Sequence, residues 1–475
     1  MRLQTQTEKK NSGAVFLGTL AVVAGLALAS TAQADPCGMV PPAWIETAEG
    51  APPVIQRSGD QITYAFFKDG VETMVLRPGF TGDVDEFGML IPFPSAPAIR
   101  KTADDTFTQL GAAVDAPKVS VQIYQNSWDV SLGGWGRRYK KSEMAPMEEM
   151  SEAEDDGLRF DEVRVLNQEA VGMYEVAVLE AGSSKALNVW MEDHEFRYPE
   201  GMDGVVEDYV SDRWIFVAIK AQVGTMPGVA PVPGMTGVDA KRPKGSQFNG
   251  HVQGMGFRFK TDEPVIPMRM ASFNGADERN LVYFLADEPL KIDGMGEDLV
   301  VRQVAGKRLY SNVTELLPLE VSGGTMTSQM TQDIRAQRNP APYNGVAKEL
   351  FAADLLAATT GELALPFEEF EKELLVVSES IGLRGPDVDH LHGLEVDKRK
   401  DDAVDTALLE LKGMTLTVID GDFDKKYVAS KNIAFTEFEM ASASNSRKHW
   451  TRAASGPTVY LTQDGGWLGG DWLPW

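Results

Sequence analysis

Two histidines, His390 and His392, lie in the run Asp387-Val388-Asp389-His390-Leu391-His392 and are the residues of this chain best spaced to share a metal ion. On a strand, residues two apart point to the same face. Both imidazoles could then reach one Zn²⁺ or Cu²⁺, with Asp389, Asp387 or Asp397 as an oxygen donor. A solvated polar loop explains the same run equally well. Cys37 is the lone cysteine. It could serve as a thiolate ligand, a redox group or one half of an intermolecular disulfide, or simply pack as a small apolar side chain. No second cysteine stands near it, so a paired redox motif and haem attachment are unsupported.

Three further patterns carry weaker chemistry. Asp420, Asp422 and Asp424 alternate like the opening of a calcium loop. However, Lys425 occupies the position of the sharp-turn glycine and Lys431 that of the closing glutamate, which excludes an EF-hand. Met144, Met147 and Met150 offer soft sulfur of the kind that suits Cu(I), within a run that reads equally as a plain acidic insertion. His194 lies on an apolar helical face, where a hydrogen-bonded core residue is the ordinary expectation. The chain has no G-x-S-x-G elbow, no H-E-x-x-H and no phosphate loop. No catalytic residue and no cofactor is predicted.

The elements that would position these groups follow from periodicity. Ile62–Phe67 and Val71–Arg77 are β-branched and aromatic runs joined by Lys68-Asp69-Gly70, a hairpin signature, since Asp-Gly supplies the positive φ values of a tight turn. Phe87–Ile91 is continuously apolar and should be covered on both faces, with Pro92, Pro94 and Pro97 expected to stop it. A short helix is expected around Phe107, Leu110 and Val114, and a half-buried strand over Val119–Ile123. Strands over Val163–Leu166 and Tyr174–Leu179 precede a helix capped by Ser183 or Ser184, with Leu187, Trp190, Met191 and His194 on one face. A second helix carries Val205, Val206, Tyr209 and Val210, and Trp214–Ala221 reads as a central strand. Phe257–Lys260, Val265–Ala271 and Leu281–Ala286 have the spacing of a meander. Val346, Leu350 and Phe351 mark a helix, as do Phe367, Phe370, Leu374 and Val377. Leu416–Ile419 and Tyr427–Ala429 should be strands flanking the Asp420–Asp424 loop. The expected class is α+β: mainly antiparallel sheets with a few packed helices, in two sub-domains.

Three stretches resemble a bacterial family known as domain of unknown function 2330. The first is Gln61–Pro97, with Asp69-Gly70-x-Glu72-Thr73, then P-G-F-x-G-D and DEFGMLIPFPSAP. The second is Val163–Ala221, opening VRVLNQEAVGMYEVAVLEAGSSKALNVWMEDHEFRYPE and closing EDYVSDRWIFVAIKA. The third, Gly256–Leu290, holds GFRFKTDEPVIPMRMASF and LVYFLADEPL. The likeness spans roughly Cys37 to Leu290. It implies a secreted or envelope-associated protein and brings no activity, cofactor or catalytic residue.

The amino terminus reads as an export signal (residues 1–34), with Arg2, Lys9 and Lys10 ahead of the uncharged apolar run Gly13–Ala29 and an Ala32-Gln33-Ala34 cleavage site. Asp35 and Pro36 precede Cys37 where a lipobox needs small residues, so lipid anchoring is not expected. Cleavage would leave Cys37 third, not first, which argues against an amino-terminal nucleophile. No later segment is apolar enough to span a bilayer. Removing three cations and one carboxylate with the leader takes the formal net charge from −25 to −27. That surface disfavours nucleic acid and anionic lipid, whose binding depends on clustered cations. Residues 35–310 form the expected first α+β region, with an acidic loop at 142–157 and a Pro/Gly loop at 225–247. Residues 311–475 form a second, ending in a tail with Trp467, Trp472 and Trp475. That tail, with Arg447, Lys448 and His449, could be a docking surface or fold back on its own core. The sequence-level expectation is a periplasmic or secreted binding or interaction module whose partner is an unidentified protein or small molecule. A hydrolase or metal-dependent enzyme is the rival.

Overall fold

The computed structural model describes residues 55–57, 61–77, 79–82, 86–103, 106–124, 161–171, 174–194, 196, 198–222, 248–251, 254–273, 279–294, 299–338, 345–363, 398–423, 425–438, 456 and 458–471. The class is α+β, built largely from antiparallel strands. Its centre is a seven-stranded sheet in the order Val300–Ala305, Thr415–Asp422, Arg279–Ala286, Gln61–Lys68, Val71–Arg77, Met255–Lys260, Ala98–Lys101. All pairings are antiparallel except that of Gln61–Lys68 with Arg279–Ala286. The hairpin forms as expected. Lys68 pairs with Val71, and Asp69 and Gly70 both hold positive φ (51° and 77°), the geometry that keeps a two-residue turn in step with strand twist.

Alternation along each strand divides the sheet's two faces. Tyr64, Phe66, Val75, Leu281, Tyr283 and Val418 face the helices Thr106–Val114, Gly306–Thr314 and Gly345–Thr360 and the helix over 398–408. Ala65, Met74, Leu76, Phe257, Phe284 and Ile419 face a second, four-stranded antiparallel sheet in the order Glu86–Phe93, Ile215–Gln222, Tyr174–Ala181, Val163–Val171. The far side of that sheet is covered by helices Ser184–Asp193 and Asp203–Ser211. The result is helix, sheet, sheet, helix. Val71–Arg77 is buried at every position because it lies mid-sheet between two covered faces.

Several details depart from the sequence expectation. Pro92 lies within Glu86–Phe93 rather than ending it, opposite Phe216. This is the outer strand of its sheet, where a missing donor is tolerated. Val265–Ala271 gives only a two-residue strand, Val265–Ile266, because Pro267 ends the ladder. A 3₁₀ turn, Arg269–Phe273, follows. No meander forms, since Met255–Lys260 and Arg279–Ala286 lie three places apart in the central sheet. The strand expected at Leu416–Ile419 extends to Asp422. Tyr427–Ala429 belongs to a helix, Lys425–Ser430, an apolar trio too short for periodicity to separate helix from strand. Ser183 caps its helix through a 3.1 Å hydrogen bond from the Ala186 N–H.

Strands from both sides of residue 310 share the central sheet. Another four-stranded sheet brings Thr458–Thr462 alongside Val119–Tyr124 in parallel, with Leu319–Ser322 on one flank and Trp467–Asp471 on the other. No described helix is long and apolar enough to cross a membrane.

Candidate functional site

The sequence candidates fall in different places. Cys37, Asp387, Asp389, His390, His392, Asp397, the three methionines of the acidic run, Asp424, Arg447, Lys448, His449, Trp472 and Trp475 all lie outside the described residues. Asp420 and Asp422 lie on a strand, Asp420 buried and Asp422 exposed, not in the expected loop. His194 is not a core residue. It caps the carboxyl end of its helix, is exposed, donates from Nδ1 to the Trp190 carbonyl at 2.8 Å and stacks on the Trp190 ring at 4.0 Å. Trp467 lies in a strand folded back against the chain. Among the described residues, no three His, Cys, Asp or Glu side chains converge as a metal site would require.

What the fold does assemble is a buried polar cluster that sequence reasoning missed. Its hub is Asp354, on the third turn of the helix Gly345–Thr360, with no exposed surface. The helix lies across the sheet so that Asp354 Oδ1 accepts from Thr73 Oγ1 at 2.8 Å and from Arg258 Nη2 at 2.6 Å. Oδ2 accepts from Tyr64 Oη at 2.9 Å. Arg100 Nη2 stands 3.5 Å from Oδ1. Arg258 is 2% exposed and uses its other nitrogens as well, donating from Nε to Thr73 Oγ1 at 3.1 Å and from Nη1 to the Leu363 carbonyl at 3.1 Å.

Register explains the convergence. Thr73 pairs with Arg258 across neighbouring strands, and Tyr64 heads a row running through Val75 and Gly256 to Arg100 on the edge strand. All point to the helical face. Gly256 makes the row possible: a Cβ there would lie 3.1 Å from both Cγ and Nε of Arg100, so any larger residue would displace that arginine. The electrostatics follow from burial. Desolvation first, then the Asp354 charge and its hydrogen bond, hold the Tyr64 phenol well above its usual range. Burial and the like charge of Arg258 lower Arg100 to about 10, with Asp354 acting in the other direction.

A second buried acid lies on the opposite face. Glu72 is fully buried, flanked across strands by Phe67 and Phe259. Its Oε2 accepts from the Val265 N–H at 3.0 Å, while Oε1 has no partner among the described residues. Burial pushes its carboxyl well above the ordinary range, so a neutral acid is the form this site favours.

One signal could have exposed the first cluster. Asp354 interrupts the apolar run Leu350–Ala358, and Arg258 interrupts Gly256–Phe259, two opposite charges each stranded among residues that must be buried. Chemically the cluster is closed. Asp354 takes three strong donors and a fourth, longer one, which leaves it little capacity to act on a substrate.

No curated protein and no solved structure matches the chain. A family model does match, over residues 56–336, and so contributes Tyr64, Thr73, Arg100 and Arg258 but not Asp354. The match begins after Cys37 and runs past Leu290, further than the three resemblance blocks reach. Covering more than half of the sequence, it shows that the chain belongs to the bacterial family described as an uncharacterized protein conserved in bacteria (DUF2330).

Proposed function

We propose that this protein is exported and acts outside the cytoplasm, in the periplasm or medium, as a non-catalytic binding or interaction module. The basic, apolar and small-residue succession over residues 1–34 supports export. The observation that supports the non-catalytic half is the internal use of Asp354. Acid, phenol and guanidinium groups do converge, with the Tyr64 phenol raised and the Arg100 guanidinium lowered, the kind of perturbation an active site shows. Here, though, their hydrogen bonds fasten a helix to a sheet.

The test has two arms. Fractionation of a bacterial host expressing the full chain with a carboxyl-terminal tag should find a shortened form outside the cytoplasm, and uncleaved chain in the cytosol would overturn the export reading. For the second arm, Asp354→Asn should lower stability without abolishing ligand binding by the folded protein. A hydrolytic activity found in the purified protein and abolished by Asp354→Asn, at a temperature where the variant is folded, would overturn the non-catalytic reading.

A further inference from the structure

Among the described residues, the polar cluster is not electrically balanced. Two guanidinium groups, Arg100 and Arg258, share one carboxylate, Asp354, and Tyr64 beside them is held neutral by its raised pKa. At formal charges one cation is left over in a largely desolvated place, inside a chain whose net charge is −25. Uncompensated charge in such a setting is expensive. Arg258 is enclosed, so the excess resides on Arg100, which keeps 16% of its side chain exposed on the outermost strand of the sheet.

The hydrogen-bond inventory points the same way. Arg100 Nε is buried with no acceptor among the described residues, and so is the hydroxyl of Thr102, itself 7% exposed and on the same side of the strand. Both stand over two glycines. A Cβ on Gly254 would fall 2.3 Å from Thr102 Oγ1, and one on Gly256 3.1 Å from Arg100 Nε and 3.3 Å from Thr102 Cγ2. Two donors and a surplus positive charge therefore meet where the neighbouring strand carries no side chain.

We propose that Arg100 and Thr102 form a binding site for a small oxyanion, either a carboxylate or a phosphate group. The anion approaches from the exposed end of Arg100, where it supplies the charge that Asp354 does not. The Thr102 hydroxyl, buried without an acceptor among the described residues, would turn about χ1 to donate a second hydrogen bond to the anion. Asp354, 3.5 Å from Nη2, repels a second negative charge and so favours a monoanion over a dianion. The inference is separate from the export and interaction reading, and concerns only this corner of the sheet.

The experiment is a thermal-unfolding titration of the purified full chain with sodium acetate, sodium phosphate and sodium chloride at matched ionic strength. Acetate or phosphate is expected to raise Tm saturably beyond the chloride control, as binding to the native state requires. Thr102→Val preserves shape and removes a hydroxyl without a partner, so it should fold normally and weaken the apparent affinity about ten-fold or more, the cost of a hydrogen bond to a charged group. Arg100→Gln should abolish the response, with circular dichroism as the check on folding. Identical behaviour of the three salts would overturn the proposal, and so would a saturable response that survives both substitutions. A carboxylate ligand predicts that acetate is the stronger probe, a phosphate-bearing one that inorganic phosphate is.

Discussion

Replacing Asp354 by alanine tests the reading of the buried cluster most directly. The substitution leaves Tyr64 Oη, Thr73 Oγ1 and Arg258 Nη2 without the acceptor they share, at distances of 2.6 to 2.9 Å, all buried. Breaking a buried ion pair by removing one partner costs about 3–5 kcal/mol. Each stranded donor adds on the order of 1–3 kcal/mol, part of it already inside that figure. Taking about 4 kcal/mol, the folding equilibrium constant falls roughly a thousand-fold. With a urea m-value of about 1–3 kcal/mol/M, the midpoint should drop by about 1 M or more. Tryptophan fluorescence during urea unfolding reads this. Asp354→Leu combined with Arg258→Met should recover much of the loss, because a well-packed apolar pair of similar volume often equals a buried salt bridge. A single-variant cost below about 1 kcal/mol, the value for an exposed pair, would refute the account.

Three other outcomes follow from features already described. Glu72 has a raised native pKa, so the native state keeps a proton that the unfolded chain releases above its ordinary value, and stability falls as pH rises through that interval. Glu72→Gln, permanently neutral, should lack this fall and exceed the parent near neutrality, the gap closing toward about pH 4. Urea midpoints for both across that range check it, and parallel profiles would count against it. Ser183→Ala removes the 3.1 Å cap of its helix and should cost about 1 kcal/mol, whereas Ser184→Ala, one residue inside the helix, should cost only a few tenths. Gly70→Ala meets only ordinary contacts, the nearest 3.6 Å away, so its cost should be the left-handed backbone alone, about 1–2 kcal/mol, and Gly70→Asn should recover part of it.

Local rules read the local structure well. The Asp69-Gly70 turn, the Ser183 cap and the strands at Val119 and Ile215 are set within a few residues, and pattern alone places them. Pro92 and Pro267 show the limit. Both interrupt apolar runs on the outer strand of a sheet, yet one sits inside its strand and the other ends one, so neither composition nor edge position separates the two. The polar cluster was harder still. Tyr64 and Asp354 are 290 positions apart, and Arg258 and Asp354 are 96 apart, so no window of sequence contains the pair. Only the incongruity of a lone charge in each apolar run was visible. The histidine pair and Cys37 drew attention because their types are chemically loud, not because anything nearby confirmed a partner.

The strand Thr415–Asp422 sits between Val300–Ala305 and Arg279–Ala286, yet it lies some eighty residues beyond the stretch that family likeness recognises. A fragment cut to residues 56–336 would keep both flanking strands and lose the one that joins them. The severed Arg279–Ala286, rich in Leu, Val, Tyr and Phe, would offer its bare backbone to any passing chain. The part of the chain that the family model matches therefore cannot complete this sheet by itself.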